Sequence, residues 1–388
     1  MARNIWLLYG IRAIRSFYLF VAILVPFYQS NGLNQQQIFW LQSVIALMIV
    51  IGEIPTGMFA DRYGRRLSIL IGAVLSVVGV SLYVVSYGFF ELALSVAVLG
   101  VSISFISGAD SAMAYDSLLT IGKSENYRGF EANRVKINGY SEAIGSLIGG
   151  FLALVSLRFT FVIQAGVYLL LIPLALMLTR TVHHKPAVGQ NVFKDVKKIV
   201  RYSLHDHAEI KWLIIYAALL GTMVSTMTWF TQPYYQLVDI PLALFGVLWA
   251  IQLLVMAYFA QFSYSYEAWL GKSKAMMSFL FIGLVCYLVL AIKPSIWVLP
   301  FILGFYFIRA LQTAIIQDYV NGLVESSIRA TVLSVKSLAH RLLYVFVGPL
   351  LGAVMDVYSL QAALLVSAGL FGIGGTVVLW QMHRLKVL

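Results

Sequence analysis

Charge is what this sequence has least of. Only 11% of its 388 residues are Asp, Glu, Lys or Arg, where a soluble domain carries about 25%, so a water-covered globular surface is excluded. Acidic residues are the scarcer sign, 16 against 27 basic ones. Cys286 is the only cysteine and stands in an apolar run, which excludes an intrachain disulfide and leaves a packing role. No G-x-x-x-x-G-K-[ST] loop occurs, so ATP hydrolysis by this chain is not expected. H-E-x-x-H is missing too, as is any G-x-S-x-G paired with a histidine in an apolar run. Four of the six histidines fall as His183–His184 and His205-x-His207, spacings that fit no standard ligand set, and no metal is expected.

What the chain has instead is apolar length. Hydrophobic residues make up 61% and the mean hydropathy is +0.87. They come in blocks of about 20 to 28, enough to cross a hydrocarbon core as helices that satisfy their own backbone hydrogen bonds. Twelve spans are expected: 5–29, 36–60, 67–87, 90–119, 132–155, 158–180, 210–237, 242–266, 274–292, 296–321, 330–356 and 359–381. The fold class is all-α, in a lipid bilayer. The first span carries Arg12 and Arg15 and leads into Gln29 and Ser30 without a small-residue cleavage site, so it reads as a span and not a signal peptide. With the N-terminus inside, only Arg158 and Lys293 fall in outer loops, while Arg12, Arg15, Arg309 and Arg341 lie within spans. That bias puts both termini in the cytoplasm of a bacterial-type inner membrane. It also explains the net charge of +11 as topology, without a nucleic-acid partner.

The organisation expected is an N-terminal six-helix bundle (1–180), a basic cytoplasmic linker (181–209) and a C-terminal six-helix bundle (210–388). Within the linker Val192, Phe193, Val196, Ile199, Val200 and Leu204 recur at helical spacing opposite lysines, as in a helix lying on an anionic leaflet. The bundles echo each other. Pro26-Phe27-Tyr28-Gln29 ends span 1 and Pro233-Tyr234-Tyr235-Gln236 ends span 7, an offset of 207. Gly145-Ser146-Leu147-Ile148-Gly149-Gly150 answers Gly348-Pro349-Leu350-Leu351-Gly352-Ala353, an offset of 203. Asp116 and Asp318 near the ends of spans 4 and 10 are followed by Arg128 and Arg329. A six-plus-six repeat in a membrane reads as a transporter with its site between the halves.

Between spans 2 and 3 the chain reads Gly57-Met58-Phe59-Ala60-Asp61-Arg62-Tyr63-Gly64-Arg65-Arg66. This resembles the signature loop of the major facilitator superfamily, G-x-L-a-D-r-x-G-r-r, with Phe59 in place of leucine. The resemblance implies twelve helices in two pseudo-symmetric bundles, among bacterial members of the drug and multidrug efflux type. It also implies a conformational latch made of Gly57, Asp61, Arg62, Gly64, Arg65, Arg66, Asp116 and Arg128. Asp61 can accept backbone N–H groups at a helix N-terminus, and Arg65 and Arg66 can reach Asp116. The second copy, Glu267 to Lys274, is degraded, so any latch there is weaker. The 145–150 segment is similar to the antiporter signature G-P-x-x-G-G, with Ser146 for the proline; close helix packing by small residues accounts for it equally well.

Charges inside spans cost at least about 2.5 kcal/mol each at the bilayer centre, so they face a cavity or a partner. Arg15, Asp110, Glu142, Arg309 and Arg341 fall near mid-span, with Glu53 nearer the inner side. Asp110, Glu142 and Glu53 are the candidates for proton coupling. Arg15, Arg309 and Arg341, with Tyr115, Trp229 and Gln252 on pocket-like faces, are the candidates for substrate binding. The set equally fits ion pairs that only orient helices. The function expected is a secondary transporter, monomeric and without cofactor, that uses the proton gradient to export a small amphipathic organic solute by antiport. The alternative is a proton symporter importing an organic anion such as a siderophore, and a more remote one is a membrane receptor or enzyme.

Overall fold

The structure is a computed structural model and describes residues 1–181, 201–325, 328–385 and 387. Residues 182–200, which hold His183, His184 and most of the expected amphipathic linker, lie outside the described residues. The described residues form helices joined by short connections, without strands. It divides into two compact units, Met1–Val188 with Pro241–Ile251, and Gly189–Ile240 with Gln252–Leu388.

Unit 1 contains α1 (Ala2–Ser16), α2 (Leu24–Ser30), α3 (Gln35–Tyr63), α4 (Arg65–Val85), α5 (Phe89–Ile106), α6 (Ala109–Thr120), α7 (Tyr127–Leu152), α8 (Leu157–Leu169) and α9 (Leu171–Met177). Local chemistry marks several starts. The Asn34 side chain accepts from Gln37 N–H and the Gln37 side chain from Asn34 N–H, a capping box that opens α3. Ser156 caps α8 through Phe159 N–H. Gly64, at φ 108°, makes the turn from α3 to α4.

Lipid offers no hydrophobic drive for helices to associate, so small and polar residues hold them. Ser76 and Ser102 hydroxyls meet at 2.6 Å between α4 and α5, and Thr56 on α3 donates to Ser104 O at 3.0 Å. Asn4, fully buried, bonds Ser117 Oγ, Thr179 O and Thr179 N–H, tying α1 to α6 and to the chain after α9. At the other end Arg158 donates to the carbonyls of Tyr83, Val84 and Ser86 and to Asn31 Oδ1, covering the orphan carbonyls of α4.

Unit 2 contains α10 (Ala208–Leu237), α13 (Lys272–Ile292), α14 (Pro300–Leu323), α15 (Arg329–Val357) and α16 (Leu360–Arg384). Between α10 and α13 run α11 (Leu242–Ala260) and α12 (Ser263–Leu270). The first ten residues of α11 belong with unit 1 and the rest with unit 2. The span expected at 242–266 therefore stops at Ala260, where a turn intervenes. In unit 2, α10 packs against α14, α15 and α16, and α13 against α14 and α16.

Among the described residues, eleven segments are long and apolar enough to cross a bilayer. The twelfth expected span is α7, 26 residues and about 39 Å long at 1.5 Å per residue. It is less apolar than the others, with Arg128, Glu131, Arg134 and Lys136 in its first part. Phe90 and Trp297, 84% and 87% exposed, are two of many large apolar side chains on the surface, in keeping with a membrane protein.

Candidate functional site

Two of the broken apolar spans carry charges at their breaks. Span 1 leaves the helical path at Phe17 and regains it through a short 3₁₀ turn at Val21–Ile23. Arg15 sits in the last turn of α1, where the helix dipole favours a cation. Span 4 breaks at Ser107–Gly108, with Gly108 at φ 83° in the left-handed region that glycine adopts without strain. Asp110 then falls in the first turn of α6, where the dipole favours an anion, and its Oδ1 accepts the Ser111 N–H at 2.7 Å. Discontinuous helices of this kind build ion and substrate sites inside membrane proteins.

The free backbone at the first break is satisfied from α8. Tyr168 donates its hydroxyl to Arg15 O at 3.1 Å, and Gln164 Oε1 accepts Leu19 N–H at 2.8 Å. The small-residue segment of α7 has its reason here. A Cβ on Gly149 would fall 1.6 Å from Leu19 O, and one on Gly150 would press on the backbone of Gly246 in α11.

Around Asp110 gathers a cluster within unit 1. Arg134, on α7, reaches Asp110 Oδ2 at 3.3 Å and Glu131 at 2.7 Å. Arg12 stands within electrostatic reach of Arg15, Arg134 and Asp110, and its buried Nε has no hydrogen-bond partner among the described residues. Arg15 is 9% exposed and its guanidinium makes no ion pair or hydrogen bond among them. Farther along α7, Asn138 accepts from Ser16 at 2.7 Å, and Glu142 Oε1 accepts the Trp249 indole N–H at 3.2 Å. Arg134 thus holds Asp110 and Glu131, Arg12 and Arg15 keep unused donors, and Glu142 acts on the same Tyr18 as those two arginines.

Arg134 was not among the expected residues. It occupies the same face of α7 as Glu131, Asn138 and Glu142, a stripe at i, i+3 and i+4 that is visible in the sequence. Glu53 is exposed on α3 and outside the cluster. Tyr115, 44% exposed, packs edge-on to Tyr127 and is likewise outside it.

In unit 2, Arg309 and Arg341 both act electrostatically on His340, but only one of them lines the cavity beside it. Arg309 lines a cavity of about 240 Å³ with Lys336 and His340, while Arg341 is not part of its wall. The reason is helical: 336 and 340 share a face of α15, and 341 is turned about 100° away. Gln252 donates to Tyr235 Oη at 2.5 Å in a buried pair, and Trp229 lies half-buried on α10, apart from the cavity.

The signature loop divides its tasks. Arg65 forms an ion pair with Asp116 and donates to Ala112 O at 2.6 Å. Arg66 does not reach Asp116, contrary to expectation; it donates to Leu176 O at 2.5 Å and caps α9. Asp61 is exposed on the last turn of α3 and makes none of the expected backbone hydrogen bonds among the described residues, because α4 begins beyond it at Arg65. Arg62 lies over the Tyr63 ring at 5.4 Å, and Arg128 is exposed at the start of α7 without an ion pair among the described residues. A Cβ on Gly57 would meet open space. In the second copy, Tyr319 donates to Glu267 and Lys272 lies 4.5 Å over the Tyr319 ring.

Solved structures with this fold are transporters. The nucleoside transporter NupG superposes with a TM-score of 0.80 at 12% identity, over 98% of this chain and 99% of that one. A POT family transporter in complex with a thioalcohol-conjugated peptide gives 0.76 at 15%, over 99% and 96%. A bacterial homologue of the human lysosomal transporter Spinster, inward-facing and unoccupied, gives 0.72 at 15%, over 100% and 98%. At such identities the likeness speaks for the fold. No curated protein matches the chain by sequence. The family model described as Major Facilitator Superfamily matches residues 5–335, and with a helical membrane fold and the loop at 57–66 the chain belongs to that superfamily, as a membrane transporter and not an enzyme.

Proposed function

We propose that this transporter carries small organic solutes bearing an acidic group and couples their movement to protons taken up at Asp110. The observation that supports this reading is the excess of arginine around one buried acid. Asp110 holds Arg134, Arg12 stands within its electrostatic reach with an unpartnered Nε, and Arg15 stands next to Arg12 with unused donors. Protonation of Asp110 removes the negative charge that competes with an anion for those arginines. At an effective dielectric of about 20 and a separation of about 6 Å, one charge is worth about 3 kcal/mol, or about a hundredfold in affinity. Proton and anion therefore favour each other's binding, which is the logic of symport; antiport requires the opposite sign.

This arrangement favours import of an organic anion over the efflux expected from the loop resemblance. We place the termini in the cytoplasm on the strength of the charge bias between loops, in a carrier of two six-helix halves that acts as a monomer in a bacterial-type inner membrane. The Arg65–Asp116 pair then serves as the latch that opens and closes the inner side, with the arginines and acids of the 57–66 loop around it. The test is flux into proteoliposomes preloaded at alkaline pH. An acidic exterior should drive a labelled organic anion inward above equilibrium. Accumulation only under the reversed pH gradient would establish exchange instead.

A further inference from the structure

The cavity in unit 2 is unlike the cluster around Asp110. Three helices close it, each presenting residues at helical spacing: Gly221 and Ser225 from α10, Arg309 and Gln312 from α14, Lys336 and His340 from α15. No acidic residue lines it. Arg309 and Lys336 make no ion pair among the described residues, and both act electrostatically on His340, as does Arg341 from outside the cavity wall. The imidazole is held in place, with Nε2 3.2 Å from Ser225 Oγ, and a Cβ on Gly221 would approach His340 Cδ2 to 3.0 Å. Gln312 is 7% exposed, and its Oε1 is buried without a hydrogen-bond partner among the described residues.

Each feature asks for something the protein does not supply. Two cations without a counter-charge inside a membrane protein are relieved by an anion. A buried carbonyl oxygen without a donor is relieved by an incoming O–H. The cavity, about 240 Å³, is smaller than the roughly 300–1,000 Å³ of a site for a whole drug-sized molecule. We infer that it binds a small hydroxylated oxyanion, a carboxylate or phosphate with a hydroxyl beside it, free or as the acidic end of a larger solute. Arg309 and Lys336 take the charged oxygens, Gln312 accepts the hydroxyl hydrogen, and the Ser225–His340 pair forms the wall that sets the depth. The site shares no residue with the Asp110 cluster, and its occupancy is measurable without transport.

The lone, buried Cys286 makes the test direct, since a thiol-reactive dye reports unfolding of the unmodified chain. Full-length protein in uncharged maltoside micelles is melted against lactate and propionate, and against phosphate and sulfate, pairs that differ in an O–H donor. A saturable rise in melting temperature is expected with lactate and phosphate, with affinities about tenfold or more above those of propionate and sulfate. Arg309→Gln and Lys336→Gln should each weaken lactate about tenfold or more, with Arg309→Lys retaining part of the affinity. Gln312→Leu should erase the preference for the hydroxylated partner of each pair. Absence of a saturable shift with all four anions would overturn the inference, as would unchanged affinity in both Arg309→Gln and Lys336→Gln. Saturation by phosphatidylglycerol alone, without response to the soluble anions, would overturn it as well and assign the cavity to lipid.

Discussion

Replacing Asp110 with asparagine fixes the site in the state that a bound proton creates. In the native chain the Asp110 carboxylate lies 3.3 Å from Arg134, with the two side chains 8% and 24% exposed. At an effective dielectric of about 20 that pair exchanges about 5 kcal/mol of gross attraction, much of it offset by desolvation. Asparagine keeps the size and a hydrogen-bond acceptor but removes the charge, so Arg134 joins Arg12 and Arg15 as a donor open to an anion. A solute carboxylate about 6 Å from Asp110 gains about 3 kcal/mol before relaxation, and about half of that after it, a tenfold to hundredfold rise in affinity. The variant should bind the anion tightly in alkaline and acidic buffer alike, where the native protein binds tightly only in acid. Concentrative uptake driven by a pH gradient should vanish while anion exchange persists. Titration of binding by melting temperature in the two buffers, together with exchange flux in proteoliposomes, supplies both readouts. If Asp110→Asn retains the native pH dependence of binding, or still concentrates the anion, Asp110 is not the coupling group.

Gly149→Ala places a methyl group 1.6 Å from Leu19 O at the break in span 1, where backbone must move to admit it. A loss of more than about 3 kcal/mol or failure to fold is expected, against less than about 0.5 kcal/mol for an exposed α7 position; melting temperature decides. Asn4→Ala leaves Thr179 N–H and O and Ser117 without their buried partner and should cost about 1–3 kcal/mol, read the same way. Arg65→Gln and Arg66→Gln should separate: the first breaks the Asp116 pair and alters transport rate, while the second only uncaps α9, at about 1 kcal/mol with flux retained. Equal effects on flux would show that the loop arginines act as one unit.

Much of the architecture is legible in residues because lipid imposes it. Apolar blocks must be helices of bilayer length, and basic loops must stay inside, so spans and motif could be read without contacts. The break at Gly108 has a glycine to announce it, but the one at Phe17-Tyr18-Leu19-Phe20 has neither glycine nor proline. Its cause lies in Tyr168 and Gln164, about 145 residues downstream, which satisfy the opened backbone. Pairing of Asp110 with Arg134 is a tertiary fact of the same kind, although the α7 stripe of Glu131, Arg134, Asn138 and Glu142 could have singled out the arginine. Arg309 and Arg341 looked alike by depth; only the facing of α15 sets Lys336 and His340 in the cavity wall with Arg309, while Arg341 acts on His340 from outside that wall. In the loop, sequence similarity grouped Arg65 with Arg66, and a single residue of helical rotation sends one to Asp116 and the other to Leu176.

Proton exchange with the buffer when an anion binds bears most directly on the link between Asp110 and the arginines. Calorimetric titration of the purified transporter with an organic anion, in buffers of different ionisation enthalpy, counts the protons taken up or released. Net proton uptake is expected in the native protein, and none in Asp110→Asn. Proton release on binding, or uptake unchanged in Asp110→Asn, would contradict the proposed linkage.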